Sequence, residues 1–190
     1  MKSEEAYSIL DIVSESEGQG VVLTRSGSIC VSFELREPEC YSLTPEDIDR
    51  RDGMFREAFK FLPEGTYVHK QDVFLKEKYC PDIAGGSFLD RADARLYVSH
   101  TCVMHFVLSG LKSLEKAYIS SPLSYKENLH KEDLARLDEF LEGVDNAVGI
   151  IQSMRDTETA PMSGQEMRDF TAGYTTLFDA PGAVVDIHAD

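Results

Sequence analysis

The chain has 190 residues, 42% of them hydrophobic and 28% charged, with eight Tyr and ten Phe to furnish a packed core; this composition excludes disorder throughout, and the length excludes a large multidomain machine. Nineteen Lys and Arg stand against 34 Asp and Glu, a formal charge of -15, so the field around the fold repels phosphate backbones and speaks against direct nucleic-acid binding. No apolar run approaches the ~18 positions a membrane span needs, the longest, 102–108, being interrupted by His105.

The opening Met1-Lys2-Ser3-Glu4-Glu5 has neither the basic region nor the apolar core of a secretory leader, which points to the cytoplasm. Cys30, Cys40, Cys80 and Cys102 lie far apart with no C-x-x-C spacing, and in a chain of this size they read as reduced thiols. Residues 1–19 are a Ser- and Glu-rich arm with no assigned structure. Segments 20–24 and 28–36 predict a half-buried hairpin, because Ile29, Val31, Phe33 and Leu35 alternate with Cys30, Ser32, Glu34 and Arg36. Thr44-Pro45-Glu46-Asp47 then supplies a cap, a first-turn proline and acids near the positive end of a helix dipole. The helix is expected to reach residue 62, with Ile48, Phe55, Phe59 and Leu62 on one stripe and Pro63-Glu64-Gly65 as its stop.

Residues 66–79 predict one long strand with a bulge, carrying His69 and Gln71 on the face of Tyr67, Val73 and Leu75. Gly85-Gly86 precedes a short helix at 87–96, and 98–108 reads as a central strand covered on both faces. After the polar connection 111–130, the steps of three and four through Leu134, Leu137, Leu141, Val144, Val148 and Ile151 give the strongest helical signal in the chain. Ser163-Gly164-Gln165-Glu166 matches a capping box, with Met167, Phe170, Tyr174, Leu177 and Phe178 behind it.

The predicted order is strand, strand, helix, strand, helix, strand, helix, helix. It describes an α+β domain with about four strands in a mixed or antiparallel sheet, ferredoxin-like in character. A core at 20–110 is followed by an antiparallel helix pair at 131–178 that covers the second face of the sheet. Ala183-Val184-Val185-Asp186-Ile187 reads as a strand beginning a further segment at 179–190, so the chain looks cut there.

Catalytic patterns are missing from the sequence. A phosphate-cradling loop needs G-x-x-x-x-G-K-S/T, and no Gly-Lys dipeptide occurs; G-x-G-x-x-G and the G-x-S-x-G serine elbow are missing too. Gly85-Gly86-Ser87 reads as a plain turn. In the run His100 to His105, a strand places His100 and Cys102 on one face and His105 on the other, so the three do not chelate one ion. His69 is likewise separated from Lys70 and Asp72. Glu46 with Asp47, Glu57 with Glu64, and Asp138 with Glu142 read as solvated helix faces rather than an acid/base pair. No catalytic, cofactor or metal residue is assigned. The alternative is a free-standing enzyme or metal protein with a site around His69, His100 or Cys102.

The stretch Tyr67-Val68-His69-Lys70-Gln71-Asp72-Val73-Phe74-Leu75-Lys76-Glu77-Lys78-Tyr79-Cys80-Pro81-Asp82 resembles the amino-terminal domain of TraG-type conjugative-transposon ATPases. That family carries a near-identical stretch after a helix ending in leucine-proline, the place held here by Leu62-Pro63. Residues 29–36 followed by Glu37-Pro38-Glu39 resemble an early strand of the same family, with Glu37 where leucine usually stands. The resemblance covers most of residues 20–178; the segment between Asp82 and Val98 is shorter than usual, and 111–130 matches weakly. Such proteins are similar to the VirB, TrbE and CagE class of bacterial type IV secretion ATPases. The resemblance implies a non-catalytic docking and regulatory domain, with ATP and Mg in a separate carboxy-terminal domain. It implies channel components and other ATPase subunits as partners, at the inner face of the bacterial inner membrane and held there only through those partners. His69, Lys70, Gln71, Asp72, Lys76, Tyr79, Pro81 and Asp82 are then structural or docking residues.

Overall fold

The computed structural model describes residues 9–16, 18–24, 27–38, 43–78, 96–111 and 131–175. In chain order they form β1 (Ile9–Ser16), β2 (Gln19–Thr24), β3 (Ile29–Arg36), α1 (Pro45–Phe59), β4 (Thr66–Lys78), β5 (Leu96–Leu108), α2 (Lys131–Gln152), β6 (Glu158–Pro161) and α3 (Gly164–Thr175). The sheet runs β1-β2-β3-β5-β4, with β6 also on β3, and every pairing is antiparallel. The α+β class and the antiparallel sheet are as the pattern predicts.

Within it, β3-α1-β4-β5-α2-β6 follows the β-α-β-β-α-β connectivity with spatial order β6-β3-β5-β4, ferredoxin-like in topology. Among the described residues two elements are added to this unit: the hairpin β1-β2, whose first strand rises from the arm with no assigned structure, and α3. Strand β3 shares one edge between two neighbours, β2 over Ile29 and Cys30 and β6 over Phe33 to Arg36.

Strand alternation sorts the core into two layers. Ile29, Val31, Phe33 and Leu35 of β3 and Cys102, Met104, Phe106 and Leu108 of β5 face α1 and α2. Val22, Cys30, Val103 and Val107 face the other way, against Met162, Met167 and Phe170. On the first face α1, which ends at Phe59 rather than at residue 62, contributes Met54, Phe55, Ala58 and Phe59, the turn after it contributes Leu62, and α2 contributes Phe140, Val144, Ala147, Val148 and Ile151. Ile48, expected in the α1 stripe, is 52% exposed, and α1 meets the core only from Met54 onward.

Capping follows the sequence closely. Asp47 N–H donates to Thr44 Oγ1 and Thr44 N–H to Asp47 Oδ2, both at 3.2 Å, closing a box at the start of α1. At α3, Glu166 N–H donates to Ser163 Oγ at 3.2 Å and Ser163 N–H to Glu166 Oε2 at 2.7 Å. Both carboxyls are held below the usual carboxylate range by these bonds.

The helix pair expected over the second face is divided. α2 belongs with α1 on the first face, and among the described helices only α3 packs on the other, against β1 and β2. The cause is β6, four residues too short to register in the sequence pattern, which sews the chain to the edge of β3 and lets it pass to the opposite face. Four further expectations are corrected. β4 pairs with β5 without interruption from Thr66↔Leu108 to Lys78↔Leu96, so it has no bulge. Leu96 belongs to β5, not to a helix. β5 is central only from Cys102 onward, since its pairing with β3 ends at Leu35↔Cys102. Leu111, placed in the polar connection, is fully buried. Residues 87–95 and 112–130 lie outside the described residues, as do the 179–190 segment and Gly85-Gly86-Ser87. No helix among the described residues is long and apolar enough to cross a membrane.

The crossing of β6 onto α3 depends on a backbone approach at Gly20. Its N–H donates to Met162 C=O at 2.9 Å, and a Cβ there would lie 2.1 Å from the Gly164 nitrogen. Neither partner is a side chain that can swing aside. Gly20→Ala is therefore expected to cost about 1–3 kcal/mol, read as a lower urea midpoint. Unchanged stability would mean that α3 is not seated there.

Candidate functional site

The motif strand β4 distributes its residues over both faces of the sheet. His69 and Gln71 share the face of α3, whereas Lys70, Asp72 and Lys76 share the face of α1, as alternation requires. Tyr79, Pro81 and Asp82 lie outside the described residues.

On the α3 face, register brings Ser32 of β3 opposite His105 of β5, and His105 opposite His69 of β4. Gln71 Oε1 lies 2.7 Å from His105 Nε2, and Ser32 Oγ 2.6 Å from His105 Nδ1. With the amide oxygen accepting, Nε2 carries the ring proton and Nδ1 accepts from the serine hydroxyl. Cys30 Sγ continues the line at 3.7 Å from Ser32 Oγ. Burial, and secondarily the neighbouring His69, push the His105 pKa down to about 4, so the ring is neutral at pH 7. A hydroxyl bonded to a neutral imidazole has the form of an activated nucleophile, but Ser32 is 0% exposed in the middle of a strand. No substrate reaches it, and the line acts as a satisfied polar seam between three strands.

On the α1 face a second network gathers at the base of the β4-β5 ribbon. Lys70 Nζ donates to Glu37 Oε2 at 2.9 Å and to Asp72 Oδ2 at 3.1 Å. Glu37 also receives Arg51 of α1 at 3.2 Å, and Arg51 reaches Thr157 Oγ1 at 2.8 Å and Arg155 C=O at 3.1 Å. Asp72 Oδ1 lies 2.8 Å from His100 Nε2, and that ring stacks on Phe74 with centroids 4.4 Å apart. Burial would lower the Lys70 pKa, but the bonds to Glu37 and Asp72 outweigh it and the net shift is upward. Burial likewise opposes ionisation of Asp72, yet His100 and Lys70 hold it below the usual range. Both groups stay charged and mutually neutralised, which suits a rivet between elements better than a proton carrier.

The thiols are equally quiet. Burial pushes Cys30 up to about 11 and Cys102 to about 12, so neither supplies a thiolate at neutral pH. Both are free, on opposite faces of the sheet; Cys40 and Cys80 lie outside the described residues. His100 and Cys102 share a face and His105 takes the other, as expected, and among the described residues no three His, Cys, Asp or Glu converge on one point. A cavity of about 190 Å³ between α1 and the end of α2 is floored by Met54 and Met154 and rimmed by Arg50, Arg51 and Arg155. Each of these arginines is matched by an acid, Asp47, Glu37 and Asp156 in turn, so the rim holds no surplus charge.

What remains conspicuous is the ribbon itself. Beyond Cys102, residues 96–101 of β5 pair only with β4 and extend roughly 20 Å past β3. Phe74, Leu96, Tyr97 and Val98 are there 45–65% exposed. β5 carries no Asp, Glu, Lys or Arg, and β4 carries three lysines against one aspartate and one glutamate. In a chain of charge -15, this arm carries no net negative charge. Sequence reasoning missed Ser32, Glu37, Arg51 and Thr157, because only strand register and the α1 crossing bring them to the motif. Ser32 stands on the polar side of the β3 alternation, with Glu34 and Arg36, so the pattern carries no signal that it is buried.

Comparison with protein families, with curated proteins and with solved structures yields no match to this chain.

Proposed function

We propose that the chain is a non-catalytic docking and regulatory domain of a conjugation ATPase of the type IV secretion class. ATP, Mg and hydrolysis would belong to a separate carboxy-terminal domain, and the docking partners are channel components at the inner face of the inner membrane and neighbouring ATPase subunits. Support comes from the motif resemblance and from one observation: an apolar, uncharged strand end displayed on a base that Glu37, Lys70, Asp72 and Arg51 lock to the core. Contiguous exposed apolar surface of this kind marks interaction sites.

The test is DNA transfer between cells carrying the full-length gene with Leu96→Asp and Val98→Asp together. Transfer and co-purification with the neighbouring channel proteins are expected to fall about tenfold or more, since each desolvated charge costs at least ~1.4 kcal/mol. Ile48→Asp, equally exposed on α1, should change neither. The isolated chain should also show no ATP binding by calorimetry. Full transfer by the folded double variant, or stoichiometric ATP binding, would overturn the proposal.

A further inference from the structure

β4 is the last strand of the sheet, thirteen residues long, and no described strand pairs with its outer edge. Natural edges of this length are usually blunted by proline, by a bulge or by outward charge. β4 has no proline, and its unbroken register with β5 shows no bulge. Of its lysines, Lys70 is already turned onto Glu37 and Asp72. Such an edge is a template for one more strand.

The sequence of the edge says which strand. We infer that β4 pairs antiparallel with β4 of a second copy of this chain, about a two-fold axis at Phe74, joining two sheets into one. In this register Asp72 of each copy faces Lys76 of the other, twice over, and Phe74, 50% exposed in the single chain, meets its own symmetry mate. Val73 and Leu75 face one another on the opposite side of the sheet. Acid two residues before the axis and base two residues after it is the pattern an isologous strand pair requires, because each contact is made in both directions. Further out, Lys70 comes opposite Lys78, but Lys70 is already neutralised in its own chain by Glu37.

Other axes fit less well. One at Lys70 or Asp72 sets like charges face to face, one at Val73 sets Lys70 against Lys76, and one at Leu75 sets Phe74 against a lysine. An axis at Gln71 would draw both members of its pair, Lys70 and Asp72, from the network with Glu37 and His100, whereas the axis at Phe74 shares only Asp72 with that network. The Gln71 axis would also slide the two acidic bodies about 20 Å further over one another. With -15 on each chain, the register that keeps the bodies apart and overlaps only the non-acidic ribbons is favoured. This inference stands whether or not the chain serves conjugation, and it uses the edge of β4, not the β5 surface tested above.

Sedimentation equilibrium of the whole chain at ~1 to ~100 μM tests it. The expected result is a dimer that tightens as salt rises from about 0.05 M to about 0.5 M, because screening relieves the repulsion between two acidic bodies. Phe74→Asp should leave monomer. Lys76→Glu should weaken the dimer about tenfold or more, as two opposite-charge pairs become like-charge pairs, and the double variant Asp72→Lys/Lys76→Glu should restore it. Tyr67→Asp, on the same strand but outside the overlap, should change nothing. Circular dichroism confirms that each variant folds. Monomer at every concentration would overturn the inference, and so would a dimer indifferent to Phe74→Asp and Lys76→Glu. A dimer broken by Tyr67→Asp and untouched by Lys76→Glu would place the axis at Gln71 and overturn the register.

Discussion

Truncating Phe106 to alanine is expected to lower stability by about 3–5 kcal/mol, against about 5–15 kcal/mol for a whole domain. The side chain is fully buried at the centre of the larger core layer, edge-on to Phe33 with ring centroids 6.0 Å apart and planes at 86°. Its strand neighbours are Val31 on β3 and Val68 on β4, and α1 and α2 close over it. The sheet cannot collapse into the vacated volume without breaking ladder bonds on both sides of β5, so most of the cavity would persist. Urea unfolding should show a lower midpoint at nearly constant slope. Phe61→Ala is the matched control: the same residue type, 53% exposed just past the end of α1, is expected to change stability by no more than about 0.5 kcal/mol. A loss below about 1 kcal/mol at Phe106 would mean that α1 and α2 do not share one packed face with β5.

That core was largely legible in the sequence. The alternation through Ile29, Val31, Phe33 and Leu35 and the helical stripe of Val144, Val148 and Ile151 name residues that the fold does bury. Thr44-Pro45 and Ser163 through Glu166 mark two helix starts to the residue. These signals are local: a period, a cap or a turn residue is set by neighbours in sequence. Failures came where distant segments decide. β6 has four residues and a proline, too little for any period, and exists because β3 offers it a free edge. Without β6, two consecutive amphipathic helices look like a pair; with it, they fall on opposite faces. The alternation of His69, Gln71, Lys70 and Asp72 was readable, and so was the division of His100 and Cys102 from His105. Their partners Glu37, Arg51 and Ser32 were not, since each arrives by strand register or helix crossing. Half of β5 was misjudged for the same reason. Val98 is as apolar as Val103, and only the point where β3 ends makes one exposed and the other buried.

Acidification from pH 7 to pH 4 is expected to remove on the order of 3 kcal/mol of stability through His105 alone. The folded chain holds this ring in a half-buried seam with Ser32 and Gln71 as hydrogen-bond partners and His69 and Phe170 as ring neighbours. Burial first, then His69, depress its pKa to about 4, against 6.5 for the free side chain. Between those values the unfolded chain takes up a proton that the folded chain refuses, so the unfolded state gains as pH falls. The contribution is whole above about pH 6.5 and is gone below about pH 4. The depressed carboxyls of Asp47, Asp72 and Glu166 act further down, because their stabilisation fades only as pH drops below the ordinary carboxylate range. Lys70, shifted upward, acts only at strongly alkaline pH. The window from 6.5 to 4 therefore reports the seam. Urea midpoints across it should fall steadily for the natural chain, and the His105→Gln variant, which keeps a polar group and loses the titration, should lack that slope. Proton resonances of His105 should titrate near pH 4. Titration near 6.5, or a slope that survives His105→Gln, would mean that the ring is solvated and that α3 does not close over the seam.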